Sequence, residues 1–143
     1  MQVKDILAAK GSDVFSVGPG DDATTIARAL AEHRIGAALV RKPDGSVLGI
    51  VSERDIVRAL AKEGSTALMK TARDLMTADL HTVLPEASVA EAMGLMTDRR
   101  CRHLPVLTEG RLMGMVSIGD LVKARIAEAE AEAESLRAFV TAA

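Results

Sequence analysis

The sequence predicts a layered α/β (α+β) fold made of one β-α-β-β-α unit used twice, and three observations carry that prediction. Gly49-Ile50-Val51-Ser52-Glu53-Arg54-Asp55-Ile56-Val57 returns as Gly114-Met115-Val116-Ser117-Ile118-Gly119-Asp120-Leu121-Val122. The likeness extends along the chain: Val3-Lys4-Asp5-Ile6-Leu7 matches Ala72-Arg73-Asp74-Leu75-Met76, and Ser16-Val17-Gly18-Pro19 matches Thr82-Val83-Leu84-Pro85. Both halves alternate short apolar runs with segments of helical period. The offset between matched residues falls from 69 to 66 to 65 (Val3 to Ala72, Ser16 to Thr82, Gly49 to Gly114), so the gaps land in loops, where they cost least.

Each element has its own local reason. A short strand, Val14 to Val17 or Leu80 to Val83, ends at a proline turn. Ala23, Ile26, Ala27 and Leu30 then recur at helical spacing, as do Val89, Ala92, Met93 and Met96 in the second copy. Ser88 with Glu91 reads as a capping box opening that second helix. Strands Ala37 to Val40 and His103 to Leu107 follow. Pro43-Asp44-Gly45 and Thr108-Glu109-Gly110 supply turn chemistry, so Val47 to Val51 and Leu112 to Val116 return as hairpin partners. These strands run into the Ser-x-x-Asp helices. The expected divisions are a first repeat over 1–64, a linker over 65–78 with a short helix around Ala67 to Met76, a second repeat over 79–126, and a helical extension over 127–143.

Composition narrows the function. A chain of 143 residues can bury roughly two thirds of its unfolded surface without disulfides or metal. With no Trp or Tyr, two Phe and a net charge of −2, it lacks the stacking platforms and basic surface that nucleic acid requires. The lone Cys101 fits a reducing compartment. No basic-apolar leader and no apolar run of membrane-spanning length is present, so a cytoplasmic protein without a membrane partner is expected. His33, His81 and His103 lack zinc spacing, and Gly18-Pro19-Gly20 fits no phosphate-loop pattern. The methionines read as core filler and Cys101 as a small buried side chain. Neither a metal nor a catalytic constellation is expected.

Ser52-x-x-Asp55 and Ser117-x-x-Asp120 have two readings. The plain one is a capping box, worth about 1 kcal/mol per helix. The other is a ligand site. Both serines directly follow a strand, at the carboxyl edge where α/β proteins bind ligands. Aspartate, shorter than the glutamate that best closes a box, is expected to face outward, where it can accept hydrogen bonds from adjacent ribose hydroxyls. A helix N-terminus nearby favours phosphate.

The duplicated unit, with Gly-x-Val-Ser-x-x-Asp ending each copy, resembles a tandem pair of CBS domains, the Bateman module, from about Val3 to Arg125. That resemblance implies two pseudo-twofold-related clefts between the repeats for adenosine-containing ligands: AMP, ADP or ATP foremost, with NAD(H) or S-adenosylmethionine as alternatives. It implies that Ser52 and Asp55 contact phosphate and ribose in one cleft, and Ser117 and Asp120 in the other. Residues Ile35 to Ala38, with Gly36 and Ala37 central, would lie beside the first adenine, and His103, Leu104, Pro105 and Val106 beside the second. Val17 and Val83 would be packing partners. The copies differ: Arg54 offers the first site a phosphate counter-charge, whereas Gly119 replaces it in the second. That site must borrow charge from Arg99, Arg100, Arg102 or His103, which otherwise form a solvated helix end. The expected function is a homodimeric sensor acting on an unidentified protein partner. The alternatives are a ligand-free scaffold and a weak nucleotide-acting enzyme.

The last helix carries Val122, Ile126, Ala129, Ala133, Leu136 and Val140 at alternating spacings of four and three. It reads either as a surface helix packed on its own module or as a clasp across a dimer.

Overall fold

A computed structural model describes residues 1–142. The elements are α1 (Val3–Lys10), β1 (Ser16–Val17), α2 (Ala23–His33), β2 (Ala37–Arg41), β3 (Val47–Ser52) and α3 (Glu53–Glu63). A 3-10 helix (Gly64–Met69) follows, then α4 (Ala72–Leu75), α5 (Val89–Arg99), β4 (His103–Thr108), β5 (Arg111–Ser117) and α6 (Ile118–Ala142). The mixed α/β class is as expected.

The chain divides into two compact units. One is the continuous segment Val14–Leu80; the other joins residues 1–13 to the chain from His81 onward. The sequence repeat and the compact unit are therefore different divisions. Helix α1, which the sequence counts with the first repeat, packs in the unit of the second, and α4 packs with the first. In the Val14–Leu80 unit the sheet order is β1-β2-β3, with β1 parallel and β3 antiparallel to β2. Its core gathers Val17, Ile26, Leu30, Ala38, Val40, Val51, Ile56 and Ala72. In the other unit β4 and β5 form an antiparallel pair, and Val3, Ile6 and Leu7 of α1 join Val89, Met96, Leu104, Val106, Val116 and Leu121 in its core.

Both hairpins form as the turn residues require. Thr108 pairs with Arg111 across Glu109 (φ +49°) and Gly110 (φ +77°), two left-handed positions matching a type I′ turn. In the longer first loop the Ser46 backbone N–H and hydroxyl both donate to Asp44 Oδ1, at 2.9 and 2.6 Å.

Several expectations need correction. The strand expected over Val14 to Val17 is two residues long, and that over Leu80 to Val83 shrinks to one parallel bridge, Val83 to Val106. The cause of the difference is Pro105. In the first unit the Leu39 N–H donates to the Phe15 carbonyl at 3.3 Å, and Pro105, at the matching position, has no N–H to give. Only Val83 N–H to the Pro105 carbonyl (3.1 Å) and Leu107 N–H to the Val83 carbonyl (3.0 Å) remain. The single linker helix is split, because Thr71-x-x-Asp74 is itself a capping box: the Thr71 N–H and hydroxyl donate to Asp74 Oδ2 at 3.1 and 3.0 Å. Helix α1 precedes the expected element order altogether. Met69 and Met113 are exposed rather than core filler, and Cys101 is half-buried.

Candidate functional site

The two Ser-x-x-Asp junctions are built alike. Ala37 pairs with Ser52 across the β2–β3 hairpin, and His103 pairs with Ser117 across β4–β5. Each serine thus stands at the last rung of its hairpin, where strand becomes helix. The first helical amide finds its acceptor one residue before the partner strand: Glu53 N–H donates to the Gly36 carbonyl (2.9 Å) and Ile118 N–H to the Arg102 carbonyl (2.8 Å). Both carbonyls are thereby committed to holding the helix start.

Both boxes are closed. Ser52 N–H and Oγ–H donate to Asp55 Oδ2 at 2.8 and 3.0 Å, and Asp55 N–H donates to Ser52 Oγ at 3.3 Å. Ser117 N–H donates to Asp120 Oδ2 at 2.9 Å, with Asp120 N–H to Ser117 Oγ at 3.2 Å. The outward-facing carboxylate expected for a residue shorter than Glu is not what forms, since an aspartate at the third helical position reaches the cap amide comfortably. Ser88 and Glu91 close the expected box as well, the glutamate at a longer 3.4 Å. Thr71–Asp74 adds another, and at the start of α1 the Gln2 N–H donates to Asp5 Oδ2 at 2.8 Å in the same way. Capping geometry alone therefore does not separate a ligand site from a plain helix start. Each box uses Oδ2 and leaves Oδ1 outside it.

The two junctions differ in charge. Lys10, at the end of α1, places Nζ 2.7 Å from Asp120 Oδ2 and 3.0 Å from the Met115 carbonyl. Burial alone pushes the Asp120 carboxyl up. The hydrogen bond from Lys10, the Ser117 amide and the lysine charge outweigh it, and the group titrates below the ordinary carboxylate range. Lys10 was missed by sequence reasoning, because 110 residues separate it from Asp120. By repeat alignment its counterpart is Asp79, so the repeat does not carry this lysine into the other copy. Arg54 is exposed and forms no ion pair among the described residues.

The remaining predicted residues fall into framework and surface. Val17, Ala37, Leu104 and Pro105 are buried, while Gly36, Val83 and His103 are half-buried. Arg102, with Arg99 and Arg100, is exposed. A groove of about 500 Å³ runs between α2 and α3, lined by Ile35, Gly36, Leu30, Arg34, Glu53 and Ile56 among others; Ser52 and Asp55 are not in its wall. Among the described residues no cluster of His, Cys, Asp and Glu could hold a metal, and no helix is long and apolar enough to cross a membrane. Burial pushes the Cys101 thiol up, which opposes the thiolate a redox sensor needs.

A unit of this kind used twice, with a serine and an aspartate at each strand-to-helix junction, defines a tandem-repeat architecture. The family model for the CBS domain matches residues 3–62 and again 72–127. The CBS domain-containing protein CBSX3, mitochondrial, of Arabidopsis thaliana is 34% identical over 146 residues, covering 96% of this chain and 71% of that protein. A crystal structure of a CBS-domain containing protein from Agrobacterium tumefaciens is 44% identical, with a TM-score of 0.85 over 87% of this chain and 92% of that one. The chain belongs to the CBS-domain family, as a tandem pair. Its members are in general regulatory, non-catalytic modules. A CBS domain pair solved in complex with 5′-methylthioadenosine and S-adenosyl-L-methionine shares the fold at 23% identity, with a TM-score of 0.79 over 90% of this chain and 98% of that one.

Proposed function

We propose that the chain is a sensor of adenosine-containing ligands that works as a homodimer and signals to a protein partner in the cytoplasm. The observation that carries this reading is the repeated Gly-x-Val-Ser-x-x-Asp junction in a chain of this family. One copy is a helix cap; two copies, each at the last rung of a hairpin, give equivalent hydroxyl-carboxylate pairs at two helix N-termini. Ser52 and Asp55, with Arg54, Gly36, Ala37 and Val17, form the first site. Ser117 and Asp120, with Arg102, His103, Leu104, Pro105 and Val83, form the second.

The chemistry is that of a nucleotide. Oδ1 of each aspartate, lying outside its capping box, accepts a ribose hydroxyl, in a charge-assisted bond of about 1.5–3 kcal/mol. The positive end of each helix favours phosphate, and Arg54 supplies the first site with cation. Lys10 supplies the second, a role sequence reasoning had given to Arg99, Arg100, Arg102 or His103. AMP, ADP and ATP suit this set best. NAD(H) and S-adenosylmethionine present the same ribose, and the crystallised CBS pair bound to adenosine compounds supports the class. For sensing, the ligand must bind two conformations unequally.

A thermal-shift panel of AMP, ADP, ATP, NAD, NADH and S-adenosylmethionine tests the reading. At least one is expected to raise the midpoint, and to do so less in Asp55→Ala and Asp120→Ala. A flat panel across all six would overturn it and favour the ligand-free scaffold, in which the closed boxes are caps and nothing more.

A further inference from the structure

Helix α6 is twenty-five residues long, about 37 Å at 1.5 Å per residue, and only its start is packed. Leu121 and Ala124 are buried; from Arg125 to Ala142 every residue is exposed except half-buried Glu128. The face that points away from the core is apolar. Ile126 is 55% exposed, Leu136 65% and Val140 67%, and Val122 continues the same stripe. Val122, Ala129 and Leu136 fall at one core position of a heptad, Ile126, Ala133 and Val140 at the other. At 100° per residue this stripe lies about 130° round the helix from Leu121 and Ala124, so it cannot fold back onto the core that holds them. This excludes the expectation that the helix packs on its own module throughout.

We infer that α6 pairs with α6 of a second copy as a parallel, in-register, two-stranded coiled coil from Val122 to Val140. Three features select that occupant and that direction. β-branched Ile126 and Val140 at the a positions with Leu136 at d favour a parallel dimer. The flanking charges agree. A parallel pairing sets each g position against the e position five residues on in the partner: Arg125 meets Glu130 and Glu132 meets Arg137, twice each by symmetry. The antiparallel alignment that matches all six core layers brings Glu132 against Glu132, Glu130 against Glu130 and Lys123 against Arg137. Each of those is a like-charge pair.

The seam is short, with alanine in its two central layers, and is weak alone. Within a dimer held elsewhere it acts at high effective concentration. The inference therefore rests on the homodimer proposed above but on no ligand. Arg125 is engaged within its own helix by Glu128 at 3.0 Å, so the Glu132–Arg137 pair makes the cleaner test.

Sedimentation equilibrium on the full chain gives the dimer Kd. Arg137→Glu and Glu132→Arg should each weaken it, on the order of ten-fold, since two attractive pairs become repulsive. Glu132→Arg/Arg137→Glu should return it to within about two-fold of the parent, since the pairs re-form with signs exchanged. Circular dichroism confirms that α6 stays helical in each variant. Leu136→Cys on a Cys101→Ala background should cross-link copy to copy on oxidation, which the antiparallel alignment forbids by placing the two cysteines about 15 Å apart. A monomeric parent, an unchanged Kd in the single variants, or a dimer whose Leu136→Cys form does not cross-link would overturn the inference. Ligand binding, followed by thermal shift in the same variants, reports separately on the sensor reading.

Discussion

At Asp120 one carboxylate oxygen closes a helix cap and also holds a lysine from another element. Its titration follows from that arrangement. The folded carboxyl lies below its usual range, so it contributes stability above the unfolded value of about 3.9, and loses it as the pH falls through the folded value. Lys10→Met removes the main lowering partner and leaves the upward push of burial, so the Asp120 carboxyl should titrate higher. NMR chemical shifts of the Asp120 side chain against pH check the direction; an unmoved midpoint would dissociate Lys10 from the site. Because the pair is partly exposed, the stability difference from the parent should be no more than about 1 kcal/mol near neutral pH. It should shrink as the pH drops below about 4.

The boxes give a second comparison at this scale. Ser88→Ala removes an N-cap, Asp55→Ala and Asp120→Ala remove the carboxylate half of a box, and each should cost about 0.5–2 kcal/mol in urea unfolding. In calorimetric titration the two aspartate variants should also lose roughly ten-fold or more in nucleotide affinity, whereas Ser88→Ala should lose none. Equal affinity losses in all three would make the junctions ordinary caps.

Among elements, the repeat preserves a glycine whose surroundings differ. A Cβ on Gly49 of β3 would stand 2.6 Å from the Thr77 carbonyl oxygen and 2.8 Å from the Met76 sulfur. That carbonyl is fixed by the Ile50 N–H at 3.0 Å, so β3 or the chain after α4 must move. On Gly114 of β5 the nearest atoms are the ends of the Leu7 side chain, at 2.8 and 3.0 Å, which can rotate. Gly49→Ala should therefore cost about 1–3 kcal/mol, and Gly114→Ala distinctly less. Urea midpoints measured side by side decide it.

The same contrast shows what the sequence could reveal. The hairpins, the Ser88 box and both Ser-x-x-Asp helices were legible because turn chemistry and caps are local. So was the unbroken course of α6, whose apolar stripe keeps one period from Val122 to Val140. Closure of the Asp55 and Asp120 boxes was not read, since side-chain length suggested an open carboxylate while the cap amide lay within reach. Pro105 stood in plain view, but its effect on Val83 depends on which N–H a partner strand needs. Lys10 was beyond reach, because no local pattern tells α1 that its partner is the second half of the chain.

That exchange of leading helices governs how the whole molecule divides. A fragment ending at residue 64 follows the sequence repeat yet omits α4 and the segment behind it. It loses Ala72, Leu75 and Met76 from the core, and with them the Ala23 N–H bond to the Lys70 carbonyl, the Ala72 N–H bond to the Asp21 carbonyl and both Ile50–Thr77 bonds. Leu75 and Met76 are half-buried, so their burial is worth about 1.5–3 kcal/mol together, a sizeable share of the stability of a small domain. The segment Val14–Leu80 keeps all of these groups, and forfeits only α1, whose core contacts lie in the other unit. Expressed separately, Val14–Leu80 should give dispersed amide NMR spectra and a cooperative urea transition, while residues 1–64 should give neither. If 1–64 folds as well as Val14–Leu80, α4 is an appendage and the boundaries belong where the sequence repeat puts them.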